Sequence, residues 1–378
     1  MNIPLFVPTY RVDECLAEIR ECLEKGWTGL GYKTIAFEEA WQTYTGLPYA
    51  HYVNSATAGL LNAIEVLKMT KGWKRNDEII TTPLTFVSTN HAIRTHQLKP
   101  VFADVDEYLC LDPVDVKRHI TSRTRAVMFV GMGGNTGQYE QIKQLCKEHS
   151  LSLILDAAHM SGTRLNGIIP GHEADAVVYS FQAVKNLPTG DSGMVCFATQ
   201  QQDRLARKLT SHGMNKDAFT RSDPSGQYRW IYDVEHIGSK SHGNSIMAAI
   251  GLVQLRYLDQ DNAYRKQLAA WYEQLLTPLS PNIQIVPTAP HCDPSRHLFI
   301  VRSAQRDQLM KALNDQEIYP GVHYRANVEY RMYRHAKGQC KQADAYSKEI
   351  LSLPLHLRMT YEHVLKVTQT IEAFYNTQ

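Results

Sequence analysis

The chain has 378 residues, which is enough for a large domain with a smaller one beside it. Its 40 lysines and arginines nearly balance its 38 acidic residues, so charge gives no reason to expect a nucleic-acid-binding or membrane-binding surface. The 7 cysteines and 16 histidines lack the C-x-x-C, H-x-x-x-H and H-E-x-x-H spacings, so we expect reduced thiols and no metal site.

Hydropathy excludes a membrane-spanning protein. No apolar run approaches the roughly 20 residues of a membrane span. The first residues, M-N-I-P-L-F, lack the basic start and apolar core of a signal peptide. Together with the scattered cysteines, these features predict a cytoplasmic protein.

The chain begins with a predicted N-terminal arm, residues 1–34. Apolar residues recur at helical spacing over 13–25, and the glycine-rich stretch 26–31 then ends that helix. A second helix is predicted over 35–44, where a glycine and a proline follow.

A repeating unit of short apolar runs starts near residue 50. Helical patterns fall between several of these runs, for example over 57–69 and 139–149. Strands that alternate with helices predict an α/β fold, with a mostly parallel sheet covered on both faces. The seven predicted strands lie near 50–54, 78–82, 100–104, 125–130, 151–155, 175–180 and 193–198.

The second half of the chain changes character. A helix is predicted over 201–212, and the polar stretch 213–243 is predicted to be a long irregular loop, functional or mobile. One long helical pattern, 245–276, leads out of the large domain. We therefore predict a large domain over 1–250 and a small α+β domain over 251–378. The small domain has strands over 283–286 and 297–301 and helices over 306–316 and 361–375.

Small residues, N-S-A-T-A-G-L, connect the first strand to the first long helix at 54–60. A helix N-terminus with small residues favours phosphate, because its free N–H groups and its dipole attract an anion. The alternative is an ordinary Ser or Thr N-cap. The residues alone leave both interpretations open.

The glycine-rich stretch G-M-G-G-N-T-G at 131–137 also follows a predicted strand and precedes a helix. It invites comparison with a dinucleotide-binding fingerprint, and Asp156 stands about twenty residues further on. Thr136 occupies the position of the third glycine of that fingerprint. A nicotinamide-dependent dehydrogenase is therefore a weak alternative.

Two ionisable residues carry the strongest chemical signal. Asp156 ends a predicted buried strand, where the side chain enters the crevice in which open α/β sheets bind ligands. Lys185 lies on a short connection between two buried strands, where desolvation lowers its pKa and allows a neutral amine to attack a carbonyl. Pyridoxal phosphate needs both groups, a lysine for covalent attachment and an acid to keep the pyridine nitrogen protonated.

The stretches D-A-A-H-M-S-G, from Asp156, and S-F-Q-A-V-K-N-L-P-T-G-D-S-G, from Ser180, resemble the DegT/DnrJ-type sugar aminotransferases. These are pyridoxal phosphate enzymes with the aspartate aminotransferase fold, fold type I, and they aminate keto groups on nucleotide-linked sugars. The resemblance covers nearly the whole chain and is most specific over 156–193.

This resemblance implies roles for residues around the cofactor. Ala56 and Thr57 hold the phosphate, and Ser180 adds a hydroxyl. Phe86, in T-F-V-S-T, stacks on the pyridine ring, although a core phenylalanine is an equal interpretation from the residue alone. His159, at a position where relatives have Gln or His, hydrogen-bonds near the ring oxygen.

The resemblance also implies a homodimer with shared active sites. Asn244 aligns with a family asparagine that reaches the cofactor phosphate of the neighbouring subunit, while Ser245 replaces the usual aspartate. The alternative is a helix cap formed by either residue, and both roles are compatible.

Three residues of the predicted small domain, His323, Tyr324 and Arg325, resemble a family stretch near the substrate entrance. Arg325 is suited to bidentate contact with a carboxylate or phosphate. The family's following proline is missing here. The sequence departs from the family again at Gly131, where relatives usually have histidine, and this leaves the shape of the substrate wall at 131–137 open. The stretch 350–356 also matches the family and is predicted to be structural.

We therefore predict a pyridoxal phosphate aminotransferase that moves an amino group from L-glutamate to a nucleotide-linked keto sugar, with Lys185 and Asp156 as catalytic residues. Some relatives are dehydratases with histidine in place of the lysine, and Lys185 argues against that branch. A cyclitol acceptor and a catalytically silent regulator that binds cofactor or sugar are the remaining alternatives.

Overall fold

The computed structural model describes residues 2–216 and 230–377. Its centre is a seven-stranded sheet in the order β1-β8-β7-β5-β4-β2-β3. The strands are β1 Tyr49–Val53, β2 Glu78–Thr81, β3 Lys99–Phe102, β4 Thr124–Val130, β5 Ser152–Asp156, β7 Ala176–Ser180 and β8 Gly193–Phe197. Strand β8 is antiparallel to both neighbours, and the other pairs are parallel. The predicted α/β class and the seven predicted strands are confirmed.

Helices connect and cover the strands of this sheet. They are α1 Val12–Glu24, α2 Tyr32–Thr45, α3 Ala56–Lys71, α4 Val87–Thr95, α5 Pro113–Arg118, α6 Tyr139–Glu148 and α7 Gln200–Leu209. Successive residues of β5 enter two different cores, since Leu153 and Leu155 pack on one face and Ile154 on the other. Burial of both faces explains why the strands read as continuous apolar runs in the sequence.

The long helical pattern over 245–276 is two helices, α8 Ser245–Leu255 and α9 Leu258–Leu276. The break falls at Arg256 and Tyr257, whose side chains contact Glu14 of α1 at 2.9 and 2.6 Å. Tyr257 also lies under the Arg11 guanidinium, 4.3 Å from its ring centroid. The prediction of one helix was therefore wrong. No glycine or proline marks the break in the sequence, and the contacts associated with it come from the start of the chain.

The C-terminal part is built around a three-stranded antiparallel sheet in the order β12-β11-β9. Its elements are β9 Gln284–Ile285, β11 Phe299–Arg302, α10 Arg306–Asp315, α11 Lys341–Glu349, β12 Ile350–Leu353 and α12 Tyr361–Asn376. A short pair, β6 Arg164–Leu165 with β10 Cys292–Asp293, joins it to the large sheet region. The N-terminal arm reaches this part as well, because Ile3 bridges to Ile318 and is buried in its core.

Predictions for the polar stretch 213–243 fall partly on 217–229, which lies outside the described residues. On either side of that gap the described residues form isolated bridges, such as Ser211 with Lys240, and no helix. Within 2–216 and 230–377, none of the helices has the length and apolarity that a membrane crossing requires. All seven cysteines are free thiols, and six of them are buried.

Candidate active site

A cavity of about 400 Å³ opens at the carboxyl ends of β4, β5 and β7. Helices α3 and α4 begin at its wall, and residues of the C-terminal part complete it. This edge of the sheet is where open α/β folds bind ligands. Nine residues that the sequence had indicated line this one cavity: Ala56, Thr57, Phe86, Asp156, His159, Ser180, Lys185, His323 and Tyr324.

Lys185 projects into the cavity from the connection between β7 and β8. Its backbone N–H donates to the carbonyl of Gln182 at 2.8 Å, which forms a turn and fixes the start of the side chain. Burial lowers the pKa of Lys185 to about 8, although the charge of Asp156 acts in the opposite direction. A substantial fraction of the amine is therefore neutral near physiological pH and available as a nucleophile.

Asp156 lies at the end of β5 with only 4% of its surface exposed. The Thr89 hydroxyl donates to Oδ2 at 2.8 Å, and the Ala158 N–H donates to Oδ1 at 3.2 Å. Burial nevertheless raises the pKa of this carboxyl above its usual value. A carboxylate desolvated to this degree favours a cationic ligand beside it.

Another part of the cavity wall, the start of α3, is suited to an anion. Ser55 caps α3 by accepting from the Ala58 N–H at 3.1 Å, so Ala56 and Thr57 form the first turn at the positive end of the helix dipole. Gly193 allows this turn to lie against β8, because a Cβ there would stand 2.7 Å from the Ala56 nitrogen. The hydroxyl groups of Ser180 and Ser192 complete the same wall.

His159 is held in one tautomer between two partners. The Gly133 N–H donates to Nδ1 at 3.2 Å, so the ring proton is on Nε2, which contacts the Tyr324 hydroxyl at 3.0 Å. Burial and the nearby Lys185 charge hold the pKa of His159 well below its usual value, so the ring is neutral. The glycine-rich stretch 131–137 thus supports His159 from behind. Residues 131–137 are not among the residues that line the cavity, whereas Val130, which directly precedes them, is.

The exposure of Phe86 bears on an alternative that the sequence left open, a core phenylalanine or a ring that stacks on the cofactor. It is the N-cap residue of α4 with 56% of its surface exposed, and its ring centroid lies 5.9 Å from that of Tyr324. A core phenylalanine would be buried, so the exposed ring at the cavity favours the stacking interpretation.

Two predicted site residues are placed elsewhere. The Arg325 guanidinium stands 5.4 Å from the Tyr330 ring centroid and lines a separate pocket beside Lys337 and Asp344. Arg325 follows Tyr324 directly, and in an extended segment adjacent side chains point in opposite directions. Asn244 caps α8 by accepting from the Met247 N–H at 3.0 Å, and it is not among the described residues that line the cavity of its own chain.

Sequence reasoning missed several cavity residues. His297, Phe6, Thr89 and Ser192 all line the cavity, and they come from four distant parts of the chain. Thr89 is the last residue of the T-F-V-S-T stretch that contains Phe86. His297 gave one signal, a histidine at the start of the apolar run H-L-F-I-V.

The donor set of the cavity fits pyridoxal phosphate. A helix N-terminus with serine hydroxyls suits its phosphate, a desolvated carboxylate suits its protonated ring nitrogen, and a lysine of lowered pKa suits its aldehyde. The fold and this cavity define a pyridoxal phosphate-dependent enzyme of fold type I.

Comparison with known proteins gives the family. Residues 10–372 match the DegT/DnrJ/EryC1/StrS aminotransferase family, so the chain belongs to it. The spore coat polysaccharide biosynthesis protein SpsC of Bacillus subtilis (strain 168) is 34% identical over 384 residues, covering 98% of this chain and 96% of SpsC. The protein is therefore a sugar aminotransferase that uses pyridoxal phosphate.

Solved structures agree with this family. The aminotransferase TlmJ from Streptoalloteichus hindustanus superposes with a TM-score of 0.90 at 30% identity, covering 99% of both chains. Helicobacter pylori PseC, an aminotransferase involved in the biosynthesis of pseudoaminic acid, gives a TM-score of 0.91 at 25% identity, covering 100% of both chains.

Proposed function

We propose that the protein moves an amino group from L-glutamate to a keto sugar carried on a nucleoside diphosphate. The observation that carries this proposal is the composition of the cavity. Lys185 and Asp156 lie in it together, and among the described residues that line it there is no arginine. Arginine is the side chain best suited to bidentate binding of a carboxylate, so a cavity lined without one offers no such clamp to an amino-acid acceptor. Glutamate as the donor is inferred from the family resemblance and not from this lining.

The relatives support a sugar acceptor. SpsC takes part in spore coat polysaccharide biosynthesis, and PseC takes part in pseudoaminic acid biosynthesis. We infer a similar role for this chain, in which the aminated sugar goes into a surface polysaccharide or a secondary metabolite. The free cysteines fit our further proposal that the enzyme works in the cytoplasm.

Each cavity residue then has a defined task. Pyridoxal phosphate, when bound, supplies an aldehyde that takes up the amino group and a protonated ring that accepts electrons. Lys185 is the attachment point, and its amine, once released, removes the proton from the α-carbon of the donor. Asp156 keeps the proton on the ring nitrogen.

The remaining cavity residues bind and orient. Ala56, Thr57 and Ser180 hold the phosphate, and Phe86 covers one face of the ring. His159 is neutral and donates its Nε2–H to the Tyr324 hydroxyl oxygen, so it orients that hydroxyl beside the cofactor site. His323 donates to or accepts from the Ser352 hydroxyl at 2.9 Å and forms part of the proposed sugar entrance with Tyr324.

We propose that the working enzyme is a homodimer in which Asn244 completes the phosphate site of the partner subunit. Apolar side chains exposed on α1 and over 230–237 support such an interface, among them Leu23 and the fully exposed Ile237. We also keep the division into domains over 1–250 and 251–378 as a proposal.

A half-reaction tests the acceptor. The enzyme is loaded with glutamate, the excess is removed, and the visible absorbance of lysine-bound cofactor is followed as each acceptor is added. We expect nucleotide-linked keto sugars to restore the absorbance about 100-fold faster than pyruvate or oxaloacetate, because only the sugar gains the full binding energy of the cavity. Fast recovery with oxaloacetate and none across dTDP-, UDP- and GDP-linked keto sugars would reject the proposal.

A second measurement tests the attachment point. Borohydride reduction of the yellow protein should fix the cofactor to one peptide, the one that contains Lys185. The Lys185→Ala variant should fold and lose turnover. Labelling of a different lysine contradicts the assignment.

A further inference from the structure

His297 stands directly over the attachment point and has no task in the scheme above. Its Nε2 lies 3.3 Å from the Nζ of Lys185. The residue lies two positions before β11, is 4% exposed, and comes 112 positions after Lys185 in the chain. The Phe6 ring stacks on it at 5.6 Å with an interplanar angle of 4°, and the His159 ring centroid lies 4.5 Å away.

A chain of buried amides fixes the direction of every hydrogen bond behind this histidine. The Nδ2 group of Asn262 donates to the Ser161 carbonyl at 2.9 Å, so the Oδ1 atom of Asn262 is free to accept. The Nδ2 group of Asn186 donates both its hydrogens, to that Oδ1 and to the Ser295 carbonyl, each at 2.7 Å. Asn186 therefore has only its Oδ1 left for His297.

This arrangement determines the tautomer of His297. Its Nδ1 lies 3.1 Å from the Asn186 Oδ1, which is an acceptor, so the ring proton is on Nδ1. Burial and the Lys185 charge hold the pKa of His297 well below its usual value, so the ring is neutral. Its Nε2 then carries a lone pair that points at the Lys185 amine.

We propose that His297 is a positioning residue for Lys185, which accepts a hydrogen bond from Nζ at Nε2 and so sets the orientation of the reacting amine. The inference rests on the proposed role of Lys185 as the attachment point. With one N–H directed to His297, the lone pair of the neutral amine is left to face the cavity. Asn186 and Asn262 act one step further back, because they fix the tautomer.

The hydrogen bond also changes the pKa of Lys185 in a definite direction. An acceptor on Nζ favours the ammonium over the amine, so its loss lowers the pKa of Lys185. Among the described ionisable groups around Lys185, Asp156 favours the ammonium, His159 and His323 are neutral, and Tyr324 lines the same cavity. Arg265 lines a second pocket with Lys185 and His297, and its charge also holds the pKa of His297 down. Substitution of His297 leaves all of these groups in place.

Two amide variants separate positioning from a purely structural role. In His297→Gln, the side-chain oxygen reaches the place of Nε2 and still accepts from Nζ, but the contact with Asn186 is lost. In His297→Asn, the side-chain nitrogen takes the place of Nδ1 and still donates to Asn186, but the contact with Nζ is lost. The two substitutions differ by one methylene, so they form a matched pair.

The first measurement uses the full-length chain freed of cofactor. Competitive acetylation of Lys185 is followed by mass spectrometry as a function of pH, which gives the titration midpoint of that amine. We expect a midpoint near 8 for the wild type, as burial sets it, and a similar value for His297→Gln. We expect the midpoint of His297→Asn to fall by about one pH unit.

The second measurement is the rate at which added pyridoxal phosphate regains the absorbance of the lysine-bound form. His297→Gln should stay within about threefold of the wild type, and His297→Asn should be slower by about tenfold or more, because its amine is no longer held in one orientation. An asparagine variant that behaves as wild type, beside an impaired glutamine variant, would overturn the proposal in favour of a structural role. Wild-type behaviour of both variants would overturn it as well.

Two controls distinguish the loss of the hydrogen bond to Lys185 from a failure to fold and from a failure of the proposed function. Thermal unfolding identifies a variant that fails to fold. If His297→Asn does not fold, the folded His297→Gln variant tests the proposal by itself. A lowered Lys185 titration midpoint in that variant contradicts the proposal, and an unchanged midpoint supports it. If neither variant folds, the ¹⁵N NMR signals of the wild-type histidines decide, and a proton on Nε2 overturns the proposal. Borohydride trapping away from Lys185 would reject the proposed function, while the acetylation profile would still report the hydrogen bond.

Discussion

Burial of the Asp156 carboxylate destabilises the cofactor-free protein. Two hydrogen bonds, from Thr89 and the Ala158 N–H, only partly replace the water that the carboxylate loses, and burial raises the pKa of the group. A folded-state pKa above the unfolded value means that stability is lost as pH rises from the unfolded value through the folded one. The loss is complete once the pH exceeds the folded-state pKa.

We therefore expect Asp156→Asn to stabilise the cofactor-free protein at pH 7 by about 1 kcal/mol or more, with a higher melting temperature. The new amide can accept from the Ala158 N–H and donate to the Thr89 hydroxyl, which turns toward Thr85, 3.0 Å away. Turnover should fall by about 100-fold or more, because the ring proton is no longer held. Calorimetry and steady-state kinetics measure the two effects.

Asp106 provides the matched control for this prediction. It is also a buried aspartate, outside the cavity, and burial raises its pKa to about 6. Asp106→Asn should raise stability at pH 7 in the same direction and leave turnover unchanged. Equal loss of turnover in the two variants, or full turnover in Asp156→Asn, would contradict the role given to Asp156.

Single residues of the site were predictable where they lie in local patterns. Asp156 ends β5 and Lys185 lies on the connection between β7 and β8, and these strands are visible in the sequence. His297 was not predictable, because its role depends on Asn186 and Asn262, which only the fold brings to it. Arg325 lies on the far side of its segment, and no periodic pattern in that segment indicates which side faces the cavity.

At the level of elements, the segments that follow β4 and β5 explain why position 131 is a glycine in this chain. A Cβ at this position would stand 2.0 Å from the sulfur of Met160 and 2.6 Å from its Cγ. Gly131 has φ −82°, which any residue adopts, so the conflict is with this side chain and not with the backbone. Met160 occupies the space that a side chain at 131 would need.

We expect Gly131→Ala to destabilise the protein by about 1–3 kcal/mol, because the core around Met160 is fully packed. The double variant with Met160→Ala should lose about 1 kcal/mol less than the sum of the two single variants. Urea denaturation of the four proteins measures this coupling. Gly29→Ala is the control, since an added Cβ there meets nothing within 4 Å, and additive energies at 131 and 160 would contradict the explanation.

The elements themselves were largely predictable. All seven sheet strands appear in the sequence because each is buried on both faces, and their ends agree within two residues. The break at Arg256 and Tyr257 and the short helix α5 were not predicted. Long-range contacts accompany the break, and α5 is too short for a periodic pattern.

At the scale of the whole molecule, the proposed sharing of sites makes a quantitative prediction. Lys185→Ala and Asn244→Ala should each be inactive alone. When the two are mixed and re-associated, half of the dimers contain one of each, and one of the two sites in such a dimer has both native residues. Activity should therefore recover to about a quarter of the wild-type value.

The cap formed by Asn244 calls for its own control. Asn244→Ser keeps a good N-cap for α8 and shortens the side chain, so it should keep the stability that Asn244→Ala loses, about 1 kcal/mol, and still lose activity. No recovery on mixing, with dimers confirmed by sedimentation, would mean that each site is complete within one subunit.

The antiparallel edge of the sheet has a consequence for how the chain reaches its native state. Strands β7 and β8 are near neighbours in sequence, whereas β1 joins β8 from the far end of the domain, with Val53 opposite Gly193. Pairing β1 with β8 therefore closes the longest loop in the sheet, and we expect this pairing to be a slow and entropically costly step of folding. The turn of Ala56 and Thr57 follows β1, and Lys185 lies on the connection between β7 and β8. A cofactor that binds both to this turn and to Lys185 links β1 to the β7–β8 pair. Amide hydrogens of β1 should therefore exchange with solvent far more slowly once the cofactor is bound.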